Sequence, residues 1–408
     1  MNNTSLKKYA ALLVKAGANV QKGQPVVITS NIADAAFARL VQEYAYDAGA
    51  SEVVIDWMDE ASTRQWYLRA ADDIFDTFPQ WRVDRFKYFD DRGVVWLYLD
   101  SGDPDLLNGV SPDRLQRFMK ARSQGTKEHA ARTMSNELRW SVVALPSPKW
   151  AAKVFPDLDE DAAIEALWKA ILKGARADGD NPIADWEVHR NNFEGRKKFL
   201  NEKKFKSLHF TNSLGTDLVV GLPKGHIWHG GGDDGQDGIP FFPNIPTEEI
   251  FTAPDRLNVT GKVVASMPLS HQGNLIEDFS ITFKDGRAVE YQAKANESIL
   301  KNIIEMDEGA HYLGEVALVA NSSPISQMGI LFYNTLFDEN ASSHLALGKA
   351  YPDCIENGNN MSEEELVNAG VNDSLMHVDF MFGTADMHIV GIGEDGTETV
   401  VMENGDFI

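Results

Sequence analysis

The chain has 408 residues, of which 43% are hydrophobic and 24% charged, so it is long enough for two domains and too apolar to be largely disordered. Its 61 acidic and 38 basic residues give a formal net charge of -23, which argues against nucleic acid and anionic membranes as partners. The chain has no run of roughly 18 apolar residues, as a membrane span needs, and no signal-peptide core at its start. The one cysteine, Cys354, cannot form an internal disulfide, so we expect a soluble, cytoplasmic protein.

The first half of the chain alternates between helical and extended patterns. "SLKKYAALLVKAGANV" predicts a helix, "QPVVITSN" a strand, "DAAFARLVQEYAYDAGA" a helix, and "EVVIDW" and "GVVWLYLDSGDPD" two further strands. Residues 111–200 have a mainly helical pattern. This alternation favours an α/β N-terminal domain with a mostly parallel sheet, which we place at residues 1–205. The charged stretch "EGRKKFLNEKKFKS" marks the boundary, although it also fits a solvated helix.

The second half has the pattern of β-hairpins. The segments "LHFTNSLGTDLVVGLP", "KVVASMPLS" and "FSITFKDGRAVEYQAK" predict strands, and the Asp285-Gly286 pair in the last of them is a strong turn signal. A helix near "ESILKNIIEMD" and a strand at "EVALVAN" follow. We therefore predict an α+β C-terminal domain at residues 206–408 with antiparallel pairing.

Catalytic motifs confined to one segment, such as H-E-x-x-H, G-x-S-x-G or a phosphate-binding loop, are missing from the sequence. A site would therefore be assembled from separate segments. "HVDFM" is one candidate, because His377 and Asp379 would project from the same face of a strand, and imidazole and carboxylate together suit zinc or a similar divalent ion. The alternative is a structural histidine held by a neighbouring acid.

A second candidate is "FDENASSHLALGKAYP". If this segment is helical, His344 and Tyr351 are two turns apart and share a face, with Glu339 five residues before the histidine. The small residues around His344 would then let the helix approach closely. A core histidine on an Ala- and Leu-rich helix face is the alternative.

Further candidates are single acids at the edges of apolar segments. In "NIPTEEIF", either Glu249 or its neighbour Glu248 faces a site if the segment is extended, whereas Thr247 would cap a helix in the alternative. Glu315 stands at the head of the strand "EVALVA", either in solvent or as a ligand. "HIWHGGGDDGQDG" lacks the residue order of a calcium loop, and we interpret it as a flexible loop or a site wall.

Together, "PNIPTEEIFTAPD", "GEVALVANSSPI", "FDENASSHLALGKAY" and "HVDFM" resemble the metal-dependent aminopeptidases of peptidase family M29, and the resemblance runs over essentially the whole chain. It implies two divalent metal ions per chain, with Glu315 as the bridging ligand and Tyr351 and Glu249 as catalytic residues. The ligand set that it implies is Glu249, Glu315, Glu339, His344, Tyr351, His377 and Asp379. Glu339 is either a ligand or a residue directly behind the ligands, and Tyr351 either binds a metal or stabilises the oxyanion.

The resemblance also implies a function. We expect a metallo-aminopeptidase that uses zinc, cobalt or manganese to release N-terminal amino acids from short peptides, as a homodimer whose first domain encloses the site or forms the dimer contact. Two alternatives are a metal-stabilised binding module and a phosphate-ligand-binding α/β protein without peptidase activity. The latter needs a Gly-rich loop between strand and helix, which "VVITSNIADAAFA" lacks.

Overall fold

The computed structural model describes residues 3–271 and 274–408. Its α-helices, in chain order, are α1 (Asn3–Leu12), α2 (Ala35–Asp47), α3 (Glu60–Arg69), α4 (Gln80–Asp90), α5 (Pro112–Gly125), α6 (Lys127–Met134), α7 (Pro148–Val154), α8 (Glu160–Gly174), α9 (Pro182–Lys203), α10 (Glu297–Ile304), α11 (Thr335–Asp338) and α12 (Glu363–Asn368). Its strands include several of only two residues, which lie between the longer ones in chain order.

The strands, in chain order, are β1 (Pro25–Asn31), β2 (Glu52–Met58), β3 (Val95–Asp100), β4 (Trp140–Ala144), β5 (Ser207–Thr211), β6 (Asp217–Gly221), β7 (His229–Gly230), β8 (Asp233–Asp234), β9 (Pro240–Phe241), β10 (Asn244–Ile245), β11 (Glu249–Thr252), β12 (Val259–Val264), β13 (Leu269–His271), β14 (Asn274–Lys284), β15 (Arg287–Ala295), β16 (Leu313–Val319), β17 (His344–Gly348), β18 (His377–Met381), β19 (His388–Ile392), β20 (Glu398–Glu403) and β21 (Asp406–Phe407). The chain divides into two compact units. One comprises Met1–Val188 with Gly232–Pro246, and the other comprises His189–Gly231 with Thr247–Ile408.

The first unit contains a five-stranded sheet in the order β10-β4-β3-β1-β2, and all its strand pairs are parallel. The near-continuous apolar sequence of β1 is buried on both faces, as in sheets that are covered by helices. Residues 111–200 are mainly helical, as predicted, but the strand β4 interrupts this region and was not predicted. Its five residues are too few to show a helical period, and they pair along β3.

The second unit contains two antiparallel sheets. The larger has the order β13-β14-β12-β6-β5-β19-β20-β21, with β15 paired to β14 through the predicted turn at Asp285 and Gly286, both of which have positive φ. The smaller has the order β18-β17-β16-β11-β7. Most of the charged stretch 194–207 is helical, as the end of α9. The predicted fold class is confirmed: a parallel sheet with helices, followed by antiparallel α+β structure.

Both sheets of the second unit contribute to one hydrophobic core. From the smaller sheet, the residues that enter this core alternate along their strands, except at the bulge between Leu313 and Glu315; these residues are Ile250, Leu313, Val316, Leu318, Leu345, Leu347 and Phe380. Because side chains alternate along a strand, the residues between them project from the opposite face. That face carries the candidate site. Among the described residues, no helix is both long and apolar enough to cross a membrane.

Candidate metal centre

Two groups of potential ligands lie on this face of the smaller sheet, and they share one residue. Glu249, Glu315 and His344 form the first group, and Glu315, His377 and Asp379 form the second. Within each group the ligand atoms all lie within 4.8 Å of one another. Four strands, β11, β16, β17 and β18, therefore bring together five side chains that are separated by up to 130 residues in sequence.

The distances within the two groups are those of side chains packed without intervening atoms. Nε2 of His344 lies 3.0 Å from Oε2 of Glu249 and 3.4 Å from Oε1 of Glu315. Nε2 of His377 lies 3.7 Å from Oε2 of Glu315 and 3.2 Å from Oδ1 of Asp379. The two oxygens of Glu315 thus face different histidines, which is the arrangement expected of a carboxylate that bridges two ions.

Main-chain carbonyl groups orient both imidazole rings. Nδ1 of His344 lies 3.1 Å from the carbonyl oxygen of Ser342, and Nδ1 of His377 lies 2.6 Å from that of Lys349. A ring whose Nδ1–H donates to a carbonyl oxygen turns Nε2 towards the carboxylates and favours the tautomer that can bind a metal there. Metal-binding histidines usually make such a hydrogen bond through the other ring nitrogen, so both rings are suited to bind a metal.

The electrostatics of the site also fit cations. Burial, reinforced by the charges of Glu249 and Asp379 and opposed by His344, raises the pKa of Glu315 to about 6. Burial disfavours the charged form of His377, but its pairing with Asp379 and the charge of Glu315 outweigh this and raise its pKa to about 9. The pKa of His344 is likewise raised well above its ordinary value, because Glu249 and Glu315 outweigh its burial. Without metal, protons on the histidines balance the carboxylates, as buried negative charges require.

The structure shows a different reason for the small residues around His344 from the one that we predicted. The helical interpretation of this segment is wrong, because α11 ends at Asp338 and residues 344–348 form the strand β17, which lies between β18 and β16. Its isolated pattern, with one face apolar and the other small, could not distinguish helix from strand. Ala346 pairs with Glu315 on one side and with Asp379 on the other, so a small side chain there lets the two carboxylates converge above it.

Two further predicted site residues lie beside these groups but outside them. The pKa of Glu339 is raised well above its usual range by burial and by the charges of Glu249 and Asp379. Burial, followed by the negative charge of Glu315 and Asp379, also raises the pKa of the Tyr351 hydroxyl. The Tyr351 ring lies 5.2 Å from the His377 ring, measured between centroids, and tilts against it. Both residues are therefore close enough to the centre to feel its charge.

The side chains of the neighbouring residues Glu248 and Glu249 point in different directions, as expected for an extended segment. Glu249, the first residue of β11, faces the metal-ligand groups, whereas Glu248 is buried with its nearest carboxylate oxygen 3.9 Å from Nε2 of His189. The backbone N–H of Glu248 donates to Oδ1 of Asn340 at 2.6 Å, and Nδ2 of Asn340 donates to the Leu336 carbonyl oxygen at 2.8 Å. Asn340 was not among the predicted site residues, because Glu248, the partner that links it to the site, is distant in sequence.

The Gly- and Asp-rich segment supplies structure next to the site. His229 and Gly230 form β7, which pairs with β11, so part of the expected loop is the fifth strand of the ligand-bearing sheet. Nδ1 of His226, by contrast, lies 3.0 Å from the carbonyl oxygen of Pro223, and His226 belongs to neither ligand group. The glycines of this segment allow backbone contacts that the sequence pattern alone could not reveal.

Comparisons with known proteins give consistent results over the whole chain. A family model described as "Thermophilic metalloprotease (M29)" matches residues 2–407. "Aminopeptidase AmpS" of Bacillus subtilis (strain 168) is 44% identical over 402 residues, which is 98% of each chain. "Aminopeptidase T" of Thermus thermophilus is 40% identical over 404 residues, covering 99% of this chain and 98% of the relative. The solved structure "Wild-type AmpT from Thermus thermophilus" matches with a TM-score of 0.92 at 39% identity and covers 99% of both chains.

Proposed function

The chain belongs to peptidase family M29 and is a metallo-aminopeptidase, and we propose that it releases N-terminal amino acids from short peptides with two divalent metal ions. The predicted family resemblance is thereby confirmed. The number of ions, the roles of individual residues and the preference for short peptides are the parts that we propose.

The observation that carries the proposal is that two ligand groups share Glu315. Glu249 and His344 would hold one ion, His377 and Asp379 the other, and Glu315 both. Imidazole nitrogen and carboxylate oxygen suit zinc, cobalt and manganese alike, so we propose one of these metals. Glu339, which is half-buried and close enough to both groups for their charges to affect its pKa, would add a ligand or support those present.

When bound, the ions supply Lewis acidity that activates water and polarises the peptide carbonyl group. Tyr351 supplies a hydroxyl whose raised pKa favours the protonated form, so it can donate a hydrogen bond to the oxyanion that develops on that carbonyl. Glu249 lies beside His344, and we propose that it acts in catalysis by holding the ion at this position. The net charge of -23 favours encounter with the cationic N-termini of peptides.

The proposal is tested by metal counting on the purified full chain. After chelation, the protein is reloaded separately with zinc, cobalt and manganese, and bound metal is measured by mass spectrometry beside the hydrolysis of amino-acid p-nitroanilides. We expect two ions per chain and restored activity with at least one of these metals. Glu315→Gln should bind at most one ion and lose activity by about 100-fold or more, whereas Glu290→Gln, an exposed change on β15, should behave as wild type.

Two results would contradict the dinuclear proposal. The first is one ion per chain in the active wild type. The second is unchanged stoichiometry and activity in Glu315→Gln. If the chelated protein unfolds and the reloaded protein still hydrolyses no substrate, the metals support structure only, as in the alternative of a metal-stabilised binding module.

The remaining expectations stay proposals with separate tests. We propose that residues 1–205 form a dimerisation or wall domain, that residues 206–408 carry catalysis, and that the protein is a cytoplasmic homodimer. The single cysteine, Cys354, is free and buried, as suits a reducing compartment. Light scattering of the metal-loaded protein measures the oligomeric state directly, and cell fractionation measures the location.

A further inference from the structure

A continuous row of aromatic rings runs along the second unit up to the metal centre. The ring centroids of His229 and Phe251 are 6.1 Å apart, those of Phe251 and Tyr351 are 5.9 Å apart, and those of Tyr351 and His377 are 5.2 Å apart. These separations lie in the range in which aromatic side chains attract one another. The row therefore ends on a proposed metal ligand.

Strand pairing places Phe251 on the same face as the ligands. Phe251 pairs with His229 on one side and with Ala317 on the other, and Ala317 pairs with His344. Directly paired residues of antiparallel strands project from one face, and neighbouring strands are about 4.8 Å apart, so the main chains at Phe251 and His344 are roughly 10 Å apart. A substrate whose carbonyl group lies at the ligands can reach Phe251 with the side chain of its first residue.

The row is both anchored and accessible. Phe251 packs against a small buried cluster of Ala253, Ala350, Cys354, Ile355 and Val371, which holds its ring in place, yet the side chain is only half-buried. Tyr351 keeps 39% of its surface exposed. An anchored apolar surface beside a reactive centre binds a ligand without first having to be ordered.

We propose that Phe251, with the rings of His229 and Tyr351, forms the wall against which the side chain of the substrate's first residue packs. The enzyme would then prefer substrates with a large apolar or aromatic N-terminal residue to those with alanine or glycine. This inference rests on the proposed function, because it takes the metal centre as the point at which the first peptide bond is cleaved. It adds Phe251 as a residue that determines specificity.

The expected discrimination between phenylalanyl and alanyl ligands follows from the apolar area that the ligand side chain buries against Phe251. Each additional methylene or ring that a pocket buries changes specificity about 10-fold or more, and aromatic pairing adds to the contribution of buried area. Truncation of Phe251 to alanine should therefore reduce the preference for a phenylalanyl over an alanyl ligand by about 10-fold. Phe251→Leu keeps apolar area without the ring and should give an intermediate value.

The test measures binding and hydrolysis separately on the metal-loaded full chain. Dissociation constants of L-phenylalanine and L-alanine, which are the products of cleavage, are measured by calorimetry for wild type, Phe251→Ala and Phe251→Leu. The ratio of kcat/KM for phenylalanyl and alanyl p-nitroanilides is measured in parallel. Leu214→Ala, which truncates an exposed apolar side chain in the turn between β5 and β6, is the control and should leave both ratios unchanged.

The inference is supported if wild type binds phenylalanine at least about 10-fold more tightly than alanine and if Phe251→Ala removes most of this difference. It is overturned if wild type binds the two amino acids equally, or if the ratio of binding constants is the same in Phe251→Ala. Binding that follows the expected pattern without hydrolysis of any substrate would refute the proposed peptidase function while supporting the aromatic wall. The two failures are therefore distinguishable.

Discussion

Gly230 lies directly against the main chain of Glu249. A Cβ atom at residue 230 would be 2.2 Å from the carbonyl oxygen of Glu249, far inside van der Waals contact, and the φ angle of Gly230 is +131°. Only glycine combines this backbone conformation with such a close approach. The pairing of β7 with β11 thus depends on a missing side chain next to a proposed metal ligand.

We therefore expect Gly230→Ala to displace the start of β11 and to move Glu249 away from His344. The free energy of unfolding should fall by about 1–3 kcal/mol, the usual cost of a strained backbone. Metal affinity should fall as well, and more at the ion held by Glu249 than at the other. Urea unfolding and stepwise metal titration measure the two effects.

Gly238→Ala is the matched control for this change. Gly238 also has a positive φ, +74°, but no heavy atom lies within 4 Å of the position of its Cβ. Gly238→Ala should lower the free energy of unfolding without lowering metal affinity, because alanine has an unfavourable φ angle there but makes no close contact. Equal metal affinity in Gly230→Ala and wild type would show that β7 does not position Glu249.

Ala346 supports a second prediction. Because it lies between Glu315 and Asp379 in adjacent strands, a larger side chain there would separate the two carboxylates. Ala346→Leu should cost about 1–3 kcal/mol of stability through overpacking and should abolish binding at the ion shared by Glu315, His377 and Asp379. Ala346→Gly, which adds no bulk, should keep two ions per chain. Two bound ions in a folded Ala346→Leu protein would contradict this account.

The pH dependence of stability in the metal-free protein gives a third prediction. The raised pKa of Glu315, about 6, makes folding less favourable as pH rises from 4.5 to 6, because the unfolded carboxyl group ionises first. The pKa of His377, about 9, contributes stability that is complete below pH 6.5 and lost as pH rises through 9. The loss from His377 should approach about 3 kcal/mol. Urea unfolding of the chelated protein between pH 5 and 9 measures it.

Bound metal should reverse this loss of stability with rising pH, because the ions displace the protons and bind the deprotonated ligands more tightly at higher pH. In the metal-free state, His377→Gln should reduce the decline between pH 6.5 and 9, and His344, whose pKa is also raised, should account for the part that remains. His209→Gln, which changes another histidine–aspartate pair on the larger sheet, should retain it. A flat stability curve for the metal-free wild type in this interval would contradict the proposed protonation of His377.

Asn340 gives a fourth prediction. Its side chain joins the backbone N–H of Glu248 to the carbonyl oxygen of Leu336 and is fully buried. Asn340→Ala leaves both groups without this partner and should lower the free energy of unfolding by about 1–3 kcal/mol, with weaker metal binding. Asn340→Asp keeps an acceptor for Glu248 and should lose less metal affinity than Asn340→Ala. The same affinity in both variants would show that the contact to Glu248 is not what matters.

The ligand candidates could be found from the sequence because short segments contain their residue types in recognisable patterns. The residues that surround them in the fold come from distant segments, which such patterns do not connect. His377 and Asp379 share a strand face by simple alternation, and the antiparallel hairpin at Asp285 follows from its turn residues. The segment around His344 was misinterpreted because alanine and leucine fit helix and strand equally well, and only pairing with β16 and β18 decides. No local pattern could place Phe251 or Asn340, since their partners are distant in sequence.

Each proposed ligand group draws on at least two strands of one sheet, and β18 is the last of these strands in sequence. The two-ion centre therefore depends on the last of these pairings: a chain in which β18 has not yet paired can bring together Glu249, Glu315 and His344, but it lacks the second group, to which β18 contributes His377 and Asp379. For an enzyme that attacks free amino termini, such dependence acts as a safeguard. The two-ion centre that we propose is complete only once β18 has paired.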